Sequence, residues 1–204
     1  MSPSLWWMVL VVVLLLAGAA VLCREHWAGA ARQDAAELEA SGSALDAELM
    51  RRTLAARELA TAGGLDPASA VIVLRCVGDV LDAVDAGTRA EGSGVGPMGP
   101  ERLEAEEQLT EALRRAFDDR HGGAGESCES LGGQAAHARD VLALATERVH
   151  RRRVHHNELA ARVRRRALGR TGRLLGLGPA RDLPELVQVE DDIPALRPGS
   201  EQQP

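Results

Sequence analysis

The sequence has no lysine and no tyrosine, and its single phenylalanine is Phe117. All 24 basic residues are arginine, and the three tryptophans, Trp6, Trp7 and Trp27, sit near the N-terminus. Strands favour aromatic and β-branched side chains, so this aromatic poverty argues against a sheet protein. It also disfavours a surface that reads single-stranded RNA or DNA, which needs aromatic faces for stacking. Cysteine is scarce: Cys23, Cys76 and Cys128 have no metal-binding or redox spacing, and their odd number fits a reducing compartment. With 30 acids against 24 bases the net charge is −6, so the chain as a whole is no generic binder of polyanions. What is abundant is Ala, Leu, Arg and Glu, all good helix formers, in a 204-residue length that suits one domain.

No charged side chain occurs before Arg24. The run Leu5–Cys23 is apolar or small throughout and is stopped by Arg24 and Glu25. As a helix it would span about 28 Å, close to the roughly 30 Å of a bilayer core. Trp6 and Trp7 at one end and Trp27 at the other stand where amphipathic rings prefer the interface. A cleaved signal peptide would need a basic start and a small-x-small cleavage site, and a lipoprotein a small residue before Cys23, where Leu22 stands. A retained anchor is therefore favoured. Arg24 and Arg32 follow the span and nothing basic precedes it, so the positive-inside rule expects residues 1–4 outside and the rest cytoplasmic.

Beyond the anchor, apolar or small residues recur at three-four spacing: Ala31, Ala35, Leu38, Gly42, Leu45, Leu49, Ala56 and Leu59, with Arg52 as one basic interruption. This predicts a helix over 24–62, continuous with the anchor and stopped by Gly63-Gly64. Asp66-Pro67 reads as an N-cap and first-turn pair opening a helix over 66–86, with Ala70, Val73, Val77, Val80 and Val84 on one face. A Gly-rich linker precedes a helix over 100–120, striped by Ala105, Leu109, Ala112 and Ala116. A fourth helix is expected over 131–168, striped by Ala138, Leu142, Ala145, Val149, Arg152, His156, Leu159 and Val163. The Pro-rich tail, 169–204, is expected to be mostly disordered. The fold class expected is thus all-α: one N-terminal transmembrane helix at 5–23, then an up-down antiparallel bundle of two long and two short helices over 24–168.

Three patches in this order resemble the LemA family. Leu49-Met50-Arg51-Arg52 with Leu59 resembles its Leu-x-Arg-Arg-x6-Leu; Ala105 to Phe117 resembles its Ala-Glu-x-x-Leu-x-x-Ala-Leu helix; and Glu147 through Asn157 resembles its Glu, Ala-Arg and Tyr-Asn positions. The family's Tyr-Asn stands here as His156-Asn157, which marks a divergent member. The resemblance implies a single N-terminal transmembrane helix carrying a cytoplasmic helical bundle.

No catalytic set, cofactor site or metal centre is expected. His150, His155 and His156 lack the i,i+4 spacing of helical metal ligands. Glu104, Glu106, Glu107, Asp118 and Asp119 read as a solvated helix face. His156 occupies a stripe position and Asn157 is a poor mid-helix residue, so the pair is a candidate inter-helix polar clasp. The charge distribution is the anomaly. Between Arg148 and Arg173 ten arginines face one acid, Glu158, a local +9 that leaves −15 elsewhere. Arg162, Arg164, Arg165, Arg166, Arg170 and Arg173 are candidates for contact with anionic lipid or a protein partner. The bland alternative pairs them with acids of the first helix such as Glu37, Glu39, Asp46 and Glu48. The function expected is a non-enzymatic, membrane-anchored scaffold or adaptor that binds lipid and protein partners, with a homo-oligomer open to it. The rival is a tethered basic helix whose main role is binding nucleic acid or anionic lipid; nucleic acid is the less favoured.

Overall fold

The computed structural model describes residues 3–90, 99–122, 132–169, 186–187, 193 and 196. Among the described residues there are four α-helices and no strand: α1 (Pro3–Thr61), α2 (Pro67–Ala90), α3 (Pro100–Gly122) and α4 (Gly133–Leu168). The apolar N-terminal run and the first long stripe form one unbroken helix of 59 residues.

The boundary between α1 and α2 follows from two glycines and an aspartate. Gly63 adopts φ 73°, a left-handed conformation that costs any residue with a Cβ about 1–2 kcal/mol. The next amide, of Gly64, then turns back to donate to the Leu59 carbonyl at 3.1 Å, capping an otherwise orphaned acceptor. A Cβ on Gly64 would lie 2.2 Å from Leu59 Cδ1, so that position too requires glycine, for steric rather than dihedral reasons. Asp66 opens α2: its Oδ1 accepts from the amides of Ala68 at 3.0 Å and Ser69 at 3.1 Å. Hydrogen bonds from the Ser69 side chain and amide hold this carboxyl below its ordinary range.

Helix α2 runs to Ala90, four residues past the expected 86. A single Gly87 costs only about 1 kcal/mol, and Thr88, bonded back to the Asp85 carbonyl, carries the helix on. The other bounds agree with expectation to within two residues, and the start of α3 and the end of α4 coincide with it.

The described residues form two compact units, one of Met1–Ala40 with Asn157–Leu186 and one of Ser41–His156 with Val187–Pro204. In the second unit all four helices contribute to one core. Leu59 from α1, Val73 and Val80 from α2, Leu109 and Leu113 from α3 and Leu142 from α4 are fully buried in it. Its remaining positions are largely alanine, which lets helix backbones approach closely. The first half of α2, at Ser69, Ile72 and Cys76, borders a groove with the second half of α3, at Ala112 and Ala116. The second half of α2, at Asp79, Ala83 and Ala86, meets the first half of α3, at Glu101 and Ala105.

A smaller cluster joins Leu45 and Leu49 of α1 to Val149 of α4, with Val187 packed against it. Ile193 and Leu196 are buried in the main core. These three apolar residues belong to the segment whose composition predicts disorder; average composition hides isolated apolar side chains that find a surface to cover. Most of 169–204 lies outside the described residues.

The stripes correct in two places. Ala31 and Ala35 are exposed, and burial along α1 is complete only from Leu45. Arg152 is exposed, because the 3.6-residue period carries the α4 stripe from Val149 to His156 past the half-buried Arg153 instead.

Candidate functional site

Two places in the structure concentrate charge. The first is the end of α4, in the unit that also holds the N-terminal part of α1. Residues 6–26 of α1 are all exposed: no described residue covers the apolar run, and this part of the helix is long and apolar enough to cross a membrane. Farther along α1, Asp34 pairs with Arg166, and Glu37 Oε2 lies 4.0 Å from Arg162 Nη1. At 100° per residue Arg162 and Arg166 stand only about 40° apart on α4, which is why both reach α1.

The same rotation carries Arg164 and Arg165 away from that contact. They line a shallow recess with Ala161, Leu168, Gly169 and Leu186. Among the described residues neither has an ion-pair partner. Leu168 and Leu186 stay 42% and 41% exposed. So the candidate arginines separate: two meet acids of α1, two do not, and Arg170 and Arg173 lie outside the described residues. Of the acids named as alternatives, Glu37 takes part, but Asp46 and Glu48 are engaged elsewhere. Asp34, one helical turn from Glu37, does their work.

His156 is buried, and its Cε1 would lie 3.6 Å from a Cβ placed on Gly42 of α1. Its Nδ1 has no hydrogen-bond partner. Burial, and secondarily the charge of the adjacent His155, push the imidazole pKa below its ordinary value, so it sits neutral in the packed helix pair. Asn157 is half-buried and belongs to the other unit.

The second place was misjudged from sequence. Glu106 is not part of a solvated face: it is fully buried. Its Oε2 accepts from Arg52 Nη2 at 2.7 Å, and both side chains have no solvent exposure. Arg102, 4% exposed at its side chain, has Nη1 2.6 Å from Asp46 Oδ1 and Nη2 4.0 Å from Glu106 Oε1. Two arginines and two carboxylates thus balance inside the packed unit. Satisfaction is incomplete, since Arg52 Nε and Nη1 and Glu106 Oε1 have no hydrogen-bond partner. The signal was present in the sequence. Arg52 occupies a stripe position, and Arg102, Glu106, Leu109 and Leu113 form a second stripe beside the one read from Ala105. A charge inside an apolar stripe demands a buried counter-charge.

Arg52 and Glu106 come from two separate patches, each of which carries the resemblance noted above. No protein-family model, curated protein or solved structure matches this chain.

Proposed function

We propose that the protein is a single-pass, membrane-anchored scaffold or adaptor of LemA type. Its helices form an up-down bundle at the cytoplasmic face, and it works by binding protein partners rather than by catalysis. The observation that carries this reading is α1 itself. An apolar run that no other described residue covers continues without a break into helix whose later residues, Ala55, Ala56 and Leu59, are buried in a packed core. Exposed apolar surface of that extent needs an apolar solvent.

The up-down arrangement is supported by the order of the paired residues. Opposite halves of α2 and α3 meet. Rising numbers on α1 meet falling numbers on α4, Asp34 with Arg166 and Glu37 with Arg162. They meet rising numbers on α3, Asp46 with Arg102 and Arg52 with Glu106. The LemA reading is supported by the resemblance of the patches and by the ion pair that joins two of them. The orientation rests on Arg24 and Arg32 following the span.

The test is alkaline extraction of membranes from cells expressing the full chain with a C-terminal tag, followed by protease treatment of intact cells. The reading expects the chain to stay in the membrane pellet and the tag to survive until lysis. Extraction into the supernatant would refute the anchor, and loss of the tag before lysis would refute the orientation. Crosslinking in intact membranes tests the scaffold role: protein adducts support it, and adducts to nucleic acid alone would favour the tethered nucleic-acid binder.

A further inference from the structure

We propose that the face of α4 bearing Arg164, Arg165 and Leu168, with Leu186 beside it, docks on the anionic cytoplasmic leaflet as a second membrane contact. The proposal rests on the anchor reading above and deepens it. It also divides the arginine run by task. Arg162 and Arg166 are matched by Glu37 and Asp34 and brace α4 against α1. Their net charge is balanced locally, so they add less to lipid attraction than unmatched arginines do. At 100° per residue Arg164 stands about 160° round the helix from both, and Arg165 about 60° from Arg162 and 100° from Arg166; Arg164 and Arg165 remain unmatched among the described residues.

Height along α1 places this face near the membrane. From Cys23, the end of the apolar run, to Asp34 is eleven residues, or about 16 Å of helix. The headgroup layer occupies roughly 5–7 Å of that. The Arg166 level therefore lies about 10 Å beyond the headgroups, close to one Debye length at physiological salt. α4 points toward the bilayer here, so Leu168 and Gly169 stand closer still. An ordinary tilt of α1 by about 20° toward α4 lowers the face further. The chemistry is that of an interfacial segment: guanidinium groups beside apolar side chains that are two-fifths exposed. The competing explanation for arginines at this place is the negative pole of the helix C-terminus. That explanation makes no use of Leu168 or Leu186 and does not depend on lipid charge.

The experiment uses the full chain with a photoreactive benzophenone side chain at position 168, inserted in vesicles of phosphatidylcholine alone or mixed with phosphatidylglycerol. Lipid adducts are quantified after irradiation at low and high salt, and alkaline washing reports in parallel whether the chain is inserted. Docking predicts adducts chiefly in the anionic vesicles, reduced by salt. Each arginine near an anionic surface contributes about fivefold, so Arg164→Gln with Arg165→Gln should lower the yield by roughly thirtyfold. The paired Arg164→Lys and Arg165→Lys variant should keep most of it, since the attraction is one of charge. Circular dichroism confirms that the variants remain helical. Equal adduct yields in neutral and anionic vesicles from a chain that resists alkali would overturn the docking while leaving the anchor intact. A chain stripped by alkali would overturn both.

Discussion

The buried Arg52–Glu106 pair allows a quantitative test, because removing one partner should cost more than removing both. In Glu106→Leu the Arg52 guanidinium stays where it has no solvent exposure and loses its only carboxylate among the described residues. What remains is the Glu106 backbone carbonyl, 3.4 Å from Nη2. Breaking a fully buried ion pair typically costs about 3–5 kcal/mol. Glu106→Leu belongs at the upper end, because Arg102 Nη2 also loses the Glu106 Oε1 charge at 4.0 Å. Arg52→Leu belongs at the lower end, since Arg102 still neutralises Glu106. For a chain of this size 1 kcal/mol corresponds to roughly 2–4 °C, so the expected loss is about 6–20 °C in melting temperature. In the double variant Arg52→Leu/Glu106→Leu no charge is stranded, and well-packed apolar replacements of buried pairs are often neutral or stabilising. The double variant should therefore melt above Glu106→Leu, with a coupling of about 3 kcal/mol in a double-mutant cycle. Circular dichroism at the helical band, on full chains in one detergent, measures all four proteins. If Glu106→Leu melts within about 2 °C of the wild type, or the two single losses simply add, the pair is not the uncompensated buried charge that this reasoning requires.

Three further outcomes follow from local geometry. Gly63→Ala should destabilise by about 1–2 kcal/mol, since alanine must adopt the left-handed conformation there, and urea unfolding should show a midpoint shift without a change in slope; no shift would contradict the cap. Val77→Asp puts a carboxylate at a site only 3% exposed and should cost several kcal/mol or drive the group neutral, so a melting curve like the wild type would refute the buried face of α2. His156 is held neutral by burial, so its folded-state pKa lies below that of the unfolded chain. As pH falls below about 6.5 the unfolded chain takes the proton first, and stability declines until the lower folded-state value is passed. The wild type should thus lose more stability than His156→Leu between about pH 7.5 and pH 5.5 in parallel urea titrations; equal losses would remove His156 as the cause.

Much of the helical layout was legible because it is local. Gly63, Gly64, Asp66, Pro67 and Pro100 act within one turn of themselves, and their capping needs no knowledge of distant residues. The uncharged run before Arg24 and the period of Val73, Val77 and Val80 are likewise read directly from spacing. The partners of charges were not legible in this way. Glu106 and Glu107 are neighbours of identical type on one helix, yet one is fully buried and the other exposed. The 100° step between them puts Glu106 on the stripe of Arg102, Leu109 and Leu113, but that Arg52 of another helix is its partner is decided only by packing. The arginine run behaves likewise. Its net charge is a property of sequence, but which members are free depends on the register between α1 and α4. That register sets Arg162 against Glu37 and Arg166 against Asp34 and leaves Arg164 on the far side and Arg165 on the flank, unmatched among the described residues. The burial of Ile193 and Leu196 has the same cause: the surface that they cover is assembled from four helices. Helix identity and the apolar span are thus set by interactions a few residues apart. The matching of buried charge and the assignment of free arginines are set by side chains dozens of residues apart, where the Coulomb term depends on a distance that only packing defines.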